Sequence, residues 1–335
     1  MRCDHYKMKT VIILVGMIYK KQGEFKTMIQ KAQQIMAEVQ KVVVGKEEII
    51  AKVLMVMLAK GHVLIEDIPG VGKTTLALAF SKALSLDYKR IQFTPDVMPS
   101  DITGFNLYNQ STGAFEYCPG AAMCNLFLAD EINRTSSKTQ SALLEVMEEG
   151  RITVDGITRD VPQPYIVIAT QNPVGSAGTQ MLPESQLDRF MVRLSMGYPD
   201  LESEIHILKE RHSIDPLSTV KQVATVQELL QMQKFVSDIF VSDPIYRYIA
   251  VLSSSTRSHP LIHLGVSTRG ALALSKMAKA CAFLLGRDYV IPEDIQKVIY
   301  DVWEHRILLE SQAKMEHVSP HRILEQFISD IEIPK

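Results

Sequence analysis

Apolar residues follow two different patterns along this chain, and the change occurs near residue 199. Upstream, short apolar runs lie between Gly, Pro and polar residues, which is typical of strands buried on both faces of a parallel sheet. Downstream, apolar residues recur at helical spacing. The pattern predicts an α/β core with a parallel sheet, joined by residues 198–200 to an all-helical domain. The predicted strands are residues 63–65, 88–93, 125–131 and 165–170.

Amphipathic spacing predicts helices in both parts of the chain. Cap-like residues precede two of them, and Gly150 follows another, where a left-handed residue commonly ends a helix. In the first part, the predicted helices are residues 27–39, 47–60, 75–84 and 137–149. In the second part, they are residues 202–212, 226–240, 243–256, 268–285 and 292–305.

Composition places the chain among soluble globular proteins. Of its 335 residues, 46% are hydrophobic and 22% are charged, which suits one large or two ordinary domains. The formal net charge of -2 provides no basic field, so no nucleic-acid partner is expected. The cysteines lack a C-x-x-C pair or a His at ligand spacing, so we expect free thiols and a cytoplasmic location. They are Cys3, Cys118, Cys124 and Cys281.

The N-terminal residues resemble a weak signal peptide. Residues 10–18 are mainly apolar and follow two lysines, but the stretch is too short to span a bilayer. Residues 19–22 contain no small-residue cleavage pattern. We therefore expect residues 1–27 to be a poorly ordered leader, with Met28 as an alternative start, and we expect no stable membrane insertion. Secretion is the alternative.

Residues 63–84 combine a strand, a Gly/Pro loop and a helix, which is the setting that a phosphate-binding loop requires. Backbone N–H groups of such a loop, and the N-terminus of its helix, attract phosphate oxygens. Lys73 is placed to reach the β- and γ-phosphates, and Thr74 to bind Mg²⁺. The alternative is a Gly-rich turn that binds nothing. The candidate nucleotide-binding residues are Asp67, Ile68, Pro69, Gly70, Val71, Gly72, Lys73, Thr74 and Thr75.

Asp67 stands where the G-x-x-x-x-G-K-[ST] pattern has its first Gly. The position must still turn sharply, and Asp tolerates left-handed backbone better than most residues, so we expect Asp67 to make that turn. The apolar residues 42–46 precede this loop by one helix. Within them, Val44 and Gly45 are candidates for the wall of an adenine pocket, and ordinary core packing is the alternative.

Polar residues follow two of the predicted strands. Asp130 and Glu131 end an apolar run, and ligands bind at the carboxyl edge of parallel sheets. Asp130 is a candidate Mg²⁺ ligand through water, and Glu131 a candidate base for an attacking water. Asn172 follows the next strand and is a candidate sensor of the γ-phosphate. Arg189 lies among apolar neighbours, which indicates an anionic partner.

Two turn-rich segments and one further arginine are also candidates. Residues 103–120 predict a small hairpin-like insertion, and residues 151–159 alternate around Asp-Gly, which is typical of a hairpin. The second hairpin has the alternative of a surface element with no role. Arg269 opens a helix against the helix dipole, which fits either a ligand outside the helix or an ordinary surface arginine.

Five segments of the chain, in the order in which they occur, resemble the MoxR family of AAA+ ATPases. The resemblance runs from about Ile29 to the C-terminus. The resemblance implies a P-loop AAA+ core over residues 28–199, with a helix-2 insert and a pre-sensor-1 hairpin, followed by a helical lid over residues 200–335. Gly-Ala-Ala-Met at residues 120–123 departs from the usual Gly-Pro-Ile-Phe. The five segments are residues 66–74, 92–96, 128–134, 169–173 and 187–190.

The resemblance also implies roles for individual residues. Arg269 matches the sensor 2 arginine of the lid, which would act with Lys73 and Mg²⁺ on an ATP held between core and lid. Arg189 matches the arginine finger, which would act on the ATP of a neighbouring subunit. Arg134 and Arg193 are the alternatives for the finger. The other implied roles are Walker A for Lys73 and Thr74, Walker B for Asp130 and Glu131, and sensor 1 for Asn172.

The predicted function is Mg²⁺-dependent ATP hydrolysis by a ring, expected to be a hexamer, that remodels or matures partner proteins in a chaperone-like way. The resemblance implies protein partners with von Willebrand factor A domains. The alternatives are an ATP-dependent scaffold, a nucleic-acid motor and a small-molecule kinase. Intact Lys73, Glu131 and Asn172 disfavour the scaffold. Slight net acidity disfavours the motor, and the helical second domain fits a kinase poorly.

Overall fold

The structure is a computed structural model, and it describes residues 22–68, 70–172, 182–210 and 216–334. The first helix, α1, covers residues 22–40. The helices that follow are α2 (Glu47–Leu58), α3 (Lys73–Leu84), α4 (Pro99–Thr103), α5 (Ser137–Glu149), α6 (Glu184–Leu187), α7 (Leu201–Glu210), α8 (Val226–Ser237), α9 (Asp243–Ser258), α10 (Thr268–Leu284), α11 (Pro292–Trp303), α12 (Ser311–Met315) and α13 (Pro320–Asp330). The strands are β1 (Val63–Glu66), β2 (Tyr88–Gln92), β3 (Phe105–Asn109), β4 (Ala114–Cys118), β5 (Leu126–Asp130), β6 (Arg151–Val154), β7 (Ile157–Asp160), β8 (Ile166–Gln171), β9 (Val192–Leu194), β10 (Ile262–Leu264) and β11 (Leu308–Leu309).

Five parallel strands form the central sheet, in the order β2-β5-β8-β1-β9. The predicted α/β core with a parallel sheet is therefore confirmed. Four of the strands match the predicted ones to within one or two residues. Strand β9 was not predicted, because three residues are too few to give a recognisable apolar run. It extends the sheet beyond β1 and pairs Val63 with Val192.

Both faces of the sheet are covered, which explains the uninterrupted apolar runs. In β1, Val63 and Ile65 point into an apolar cluster that contains α2, α3 and helices of the second domain. Leu64 points the other way, into a second cluster that contains α5. This alternation follows from the two-residue period of a strand. All three side chains are fully buried.

The second domain is helical, as predicted, with a small strand pair in addition. Strands β10 and β11 pair antiparallel, and neither is long enough to show a strand pattern in the sequence. Helices α12 and α13 follow the last predicted helix. Leu229, Met277 and Trp303 of this domain belong to the same apolar cluster as Val53 of α2. The lid and the core therefore share one hydrophobic core, although a linker separates them in the sequence.

Both predicted hairpins are present, and they contact each other. Strands β3 and β4 form the hairpin of the insertion, and β6 and β7 form the one around Asp155-Gly156. Asn106 Nδ2 donates to Asp155 Oδ2 at 2.7 Å. The guanidinium of Arg159 lies 3.9 Å from the ring centre of Tyr117. These contacts join the two hairpins into one projection from the core.

Helix α1 begins inside the segment expected to be a leader. Phe25 packs edge-on against Phe235 and Phe283 of the second domain, with ring centres 5.7 and 5.4 Å apart. Residues 22–27 are therefore part of the fold, and the expectation for residues 1–21 lies outside the described residues. None of the helices in the described ranges has the length and apolar character needed to cross a bilayer.

The three cysteines within the described ranges are free thiols, as expected. Burial raises the pKa of Cys124 and of Cys281 to about 12, so both thiols stay protonated at neutral pH. Cys3 lies outside the described residues.

A buried histidine joins the sheet to α5 at the start of β1. His62 Nδ1 accepts a hydrogen bond from the Val167 N–H at 3.0 Å, so its Nε2–H donates to the Met147 carbonyl, also at 3.0 Å. Burial lowers the pKa of His62 to about 4. Burial also lowers the pKa of His305 well below its usual value. Both imidazoles are neutral in the folded chain at pH 7.

We expect stability to fall as the pH drops from about 6.5 towards 4. In this window the unfolded chain protonates His62 and the folded chain does not, so the unfolded state binds more protons. Each such histidine contributes a slope of about 1.4 kcal/mol per pH unit. His62→Gln should lower the slope by about this amount and leave the contribution of His305. Denaturant unfolding at several pH values measures it, and an unchanged slope would contradict a neutral, buried His62.

Candidate active site

The loop between β1 and α3 has the backbone of a phosphate-binding loop. Gly70 and Gly72 have φ of 87° and 95°, in the left-handed region that other residues rarely adopt. Helix α3 begins at Lys73, two residues earlier than predicted, so its first N–H groups face the loop. Pro69 lies outside the described residues. Burial lowers the pKa of Lys73, and the nearby carboxylates oppose this shift only partly.

Asp67 does not make the left-handed turn that we expected of it. The positive φ angles of this loop fall on Gly70 and Gly72. The Asp67 side chain is instead buried, with the residue 7% exposed, and its carboxylate binds backbone N–H groups at the end of β9. Its carbonyl accepts a hydrogen bond from Lys73 Nζ at 2.8 Å. The contribution of Asp67 is therefore the set of hydrogen bonds that its carboxylate accepts, and not a left-handed backbone conformation.

Asp130, the last residue of β5, and Glu131, which follows it, lie at the same edge of the sheet as the loop. Asp130 is buried, and its carboxylate accepts hydrogen bonds from Thr170 Oγ1 at 2.6 Å and from Arg90 at 2.7 Å. Glu131 has a left-handed backbone, with φ of 57°. Its Oε2 accepts from Arg134 at 2.8 Å and from Gln92 at 3.2 Å. Glu131 is thus held by an arginine of its own chain.

Thr170, for which the sequence predicted no role, connects the two acids. Its hydroxyl donates to Asp130 and accepts the Glu131 N–H at 2.9 Å, and the residue is fully buried. The next strand residue is Gln171, and Asn172 follows β8 directly. The Asn172 carbonyl accepts a hydrogen bond from Asn133 Nδ2 at 3.3 Å. The phosphate loop, the two acids and Asn172 therefore all follow the carboxyl ends of adjacent strands.

Residues 42–46 lie beside the phosphate loop, where a base-binding wall was predicted. A cavity of about 290 Å³ is lined by Val44 on one side and by Tyr198 of the linker on another. Gly72 of the phosphate loop and Thr75 in the first turn of α3 also line it. Gly45 is not among the lining residues. It has φ of 69°, and a Cβ there would collide with Ser203 Oγ. Gly45 therefore lets this segment approach the start of α7.

These residues fit ATP and Mg²⁺ by the chemistry of their groups. The loop offers backbone N–H groups and the Lys73 ammonium to phosphate oxygens. The Thr74 hydroxyl and the Asp130 carboxylate are hard oxygen donors of the kind that Mg²⁺ prefers. The apolar cavity beside them suits a base.

The other two predicted site residues lie together at a different place. Arg189 donates to Glu148 Oε2 at 2.8 Å and to the Leu144 carbonyl at 2.8 Å. Arg269 pairs with the other oxygen of Glu148, and lies 4.0 Å from Asp188. One carboxylate thus holds both guanidinium groups. The expected anionic partner of Arg189 is Glu148.

This arginine pair lies at the amino edge of the sheet. Its cavity, of about 210 Å³, is also lined by Gly61 and His62, which precede β1. A strand of four residues at about 3.3 Å each separates that edge from the phosphate loop by about 13 Å. The arrangement differs from the expectation that Arg269 acts with Lys73 on one ATP within the same chain, because the sheet lies between them.

The side chains of the two alternatives for the arginine finger contact acids at the carboxyl edge, although Arg193 itself is the middle residue of β9. Arg134 pairs with Glu131, and Arg193 lies 3.2 Å from Glu66. Both therefore lie on the side of their own chain's phosphate loop. Among the three candidates, Arg189 lies at the edge away from it.

A buried ion pair fixes the lid beside the arginine pair. Arg306, whose side chain is 2% exposed, donates Nε–H to Asp188 Oδ1 at 2.7 Å and a further hydrogen bond to the Phe190 carbonyl at 2.6 Å. Burial lowers the pKa of Arg306, and Asp188 opposes this shift. Asp188 also accepts from Ser267, just before α10. This pair positions the segment that carries Arg189 and the helix that carries Arg269.

Family models match both parts of the chain. Residues 62–192 match the model described as ATPase family associated with various cellular activities (AAA), and residues 254–327 match the AAA lid domain. Chaperone MoxR1 of Mycobacterium tuberculosis (strain ATCC 25618 / H37Rv) is 35% identical over 92% of this chain and 83% of its own length. The chain belongs to the MoxR family of AAA+ ATPases.

Two further proteins match this chain over most of their own length. YeaC of Bacillus subtilis (strain 168) is 48% identical over 88% of this chain and 92% of its own. A crystal structure of a Cytophaga hutchinsonii ATCC 33406 protein superposes with a TM-score of 0.89, at 37% identity, over 95% of this chain and 99% of that one. Membership of an AAA+ family implies that the chain binds nucleotide.

We expect Thr170→Val to weaken Mg²⁺ binding, because it removes the hydroxyl that orients Asp130 and leaves the Glu131 N–H without its acceptor. The half-saturating Mg²⁺ concentration for nucleotide binding should rise about tenfold, and stability should fall by about 1–3 kcal/mol. Thr170→Ser keeps the hydroxyl and is the matched control. Equal Mg²⁺ titrations for the two variants would contradict this role.

Proposed function

We propose that this MoxR-family chain hydrolyses ATP with Mg²⁺ as one subunit of a ring, expected to be a hexamer, and that turnover remodels partner proteins. The observation that supports this best is the separation of its charged groups between the two edges of the sheet. A ring of identical subunits sets one face of each chain against a different face of the next. The arginine pair of one chain would then meet the phosphate edge of its neighbour, which is the carboxyl edge of the sheet, where the phosphate loop lies.

The proposed chemistry at the phosphate edge uses five residues. Lys73 neutralises phosphate charge, and Glu131 accepts the proton of the attacking water. Asp130 and Thr74 hold the cation, which supplies charge stabilisation when bound. Asn172 orients the water or the γ-phosphate. Arg134 and Gln92 both bind Glu131 Oε2, which leaves Oε1 as the oxygen that would accept the proton of water.

The proposed trans contribution comes from Arg189 and Arg269 together. Both guanidinium groups share the carboxylate of Glu148, so they lie close enough to address one phosphoryl group. This assignment moves Arg269 from the ATP of its own chain to that of the neighbour. It keeps Arg189 as the finger, with Arg134 assigned to Glu131 instead.

The partners are proposed from the family. The relative named Chaperone MoxR1 supports a role on other proteins, and proteins with von Willebrand factor A domains are the proposed substrates, in the cytoplasm. An ATP-dependent scaffold with little turnover is the competing proposal. The presence of Lys73, Asp130 and Glu131 at one edge disfavours it, because a scaffold has no need of a general base.

We expect Glu131→Gln to bind ATP normally and to lose turnover by at least about 100-fold, because the amide cannot accept the proton of water. Steady-state phosphate release and equilibrium binding of ATP measure the two effects. Glu145→Gln, on the exposed side of α5, is the control and should keep full turnover. Retained turnover in Glu131→Gln would require a different base.

Mixing two inactive variants tests the trans assignment. Arg189→Ala should lose about 1,000-fold or more in turnover, and Glu131→Gln has no base of its own. In a 1:1 mixture, roughly a quarter of the interfaces join an intact Arg189 to an intact Glu131, so activity should return to that fraction. Arg269→Ala should behave like Arg189→Ala. Mixed rings without recovered activity, with mixing verified by native mass spectrometry, would contradict the assignment.

A further inference from the structure

Asp67 binds the end of β9 more extensively than a turn residue requires. Its Oδ2 accepts hydrogen bonds from the N–H groups of Met196 at 2.6 Å and Gly197 at 2.7 Å, and from Ser195 Oγ at 3.2 Å. Its Oδ1 accepts the Ile68 N–H at 2.9 Å. Successive N–H groups that converge on one anion form a concave site of the kind that binds phosphate elsewhere. Here a carboxylate of the same chain fills that site.

The backbone of Asp67 is tied to the phosphate loop and to the sheet. Its carbonyl accepts from Lys73 Nζ at 2.8 Å, and its N–H donates to the Gln171 carbonyl at 3.1 Å. A phosphate in the loop would compete with this carbonyl for the Lys73 ammonium. Asp67 therefore lies between the group that contacts phosphate and the chain segment after β9.

That segment leads into the wall of the nucleotide cavity and into α7. Tyr198 lines the cavity, and its carbonyl accepts from Lys46 Nζ at 2.8 Å. Asp200 Oδ1 accepts the Ser203 N–H at 2.8 Å at the start of α7. Met196 Cε lies about 4.0 Å from where a Cβ of Gly72 would be, so residues 195–200 run directly beside the loop.

We propose that Asp67 is a positioning residue that links phosphate binding in the loop to residues 195–200, so that ATP binding orders the base-side wall of the cavity. The proposal rests on the proposed binding of ATP and deepens it. A Gly at this position has no acceptor for the Met196 and Gly197 N–H groups. An Asn keeps one acceptor oxygen and adds an NH₂ group, so it cannot reproduce the full set of four hydrogen bonds.

Hydrogen exchange in the unaltered chain and in Asp67→Asn tests the link, with ADP and with a non-hydrolysable ATP analogue. In the unaltered chain, the analogue should slow exchange at Tyr198 and Asp200 by about tenfold, equivalent to about 1.4 kcal/mol. In Asp67→Asn, the Met196 and Gly197 amides should exchange faster, and the analogue should bind without slowing Tyr198 and Asp200. Unchanged exchange in α10 would exclude a general loosening of the fold.

Two further variants act on the same contact from its other side. Ser195→Ala removes only the longest of the four hydrogen bonds and should keep the response to the analogue. Gly197 has φ of 60°, and a Cβ there meets no atom within 4 Å. Gly197→Ala therefore strains the backbone whose N–H groups bind Asp67, without filling any space. Like Asp67→Asn, it should lose the slowing of exchange that the analogue causes.

The outcomes separate this inference from the proposed function. A chain that binds neither nucleotide would overturn the proposed ATP binding itself. If Asp67→Asn and Gly197→Ala bind the analogue and keep the slowed exchange at Tyr198 and Asp200, the inference about Asp67 is overturned and ATP binding stands. Should Asp67→Asn fail to fold, Gly197→Ala alone decides between these two results.

Discussion

Parallel strands place all their carboxyl ends at one edge of a sheet and all their amino ends at the other, and the candidate chemistry of this protein depends on that asymmetry. Strands β1, β5 and β8 are neighbours, so the phosphate loop, the Walker B acids and Asn172 meet at one edge. The arginine pair lies beyond the other edge, beside His62. The phosphate loop and the arginine pair of one chain therefore lie on opposite sides of the same sheet.

The strengths of the ion pairs explain which contacts can change and which cannot. The pairs Arg134–Glu131 and Arg189–Glu148 have side chains between 20% and 46% exposed, and exposed pairs contribute only about 0–1 kcal/mol each. Such pairs can open when a phosphate offers a stronger partner. The Arg306–Asp188 pair is different, because the Arg306 side chain is 2% exposed although that of Asp188 is 21% exposed, and loss of Asp188 would leave a nearly buried charge without its counter-ion. It joins the chain after α11 to the segment before β9.

The shared hydrophobic core gives the lid a role in this arrangement. Helices α8 and α10 pack on α2, in one apolar cluster with the sheet. The helix that carries Arg269 is therefore fixed relative to the core and cannot swing freely over the phosphate loop. The segment after β9 is hydrogen-bonded to Asp67 and connects the phosphate loop directly to the second domain. In the coupling that we propose, nucleotide binding would reach the lid through that segment without breaking the apolar core.

Local sequence patterns were enough to predict the longer strands and most of the helices, the family and most of the candidate residues. Long apolar runs and Gly-Lys-Thr need no tertiary information, because burial on both faces and the phosphate loop each leave a local pattern. Short strands such as β9 and β10 leave no such pattern. The roles of Thr170 and Glu148 were not predicted either, because each acts through partners about 40 or more residues away in the chain. The contact of Asp67 with the backbone after β9, and the place of Arg269 beside Arg189, required the tertiary structure, because the edge of the sheet that a residue occupies depends on how distant strands pair.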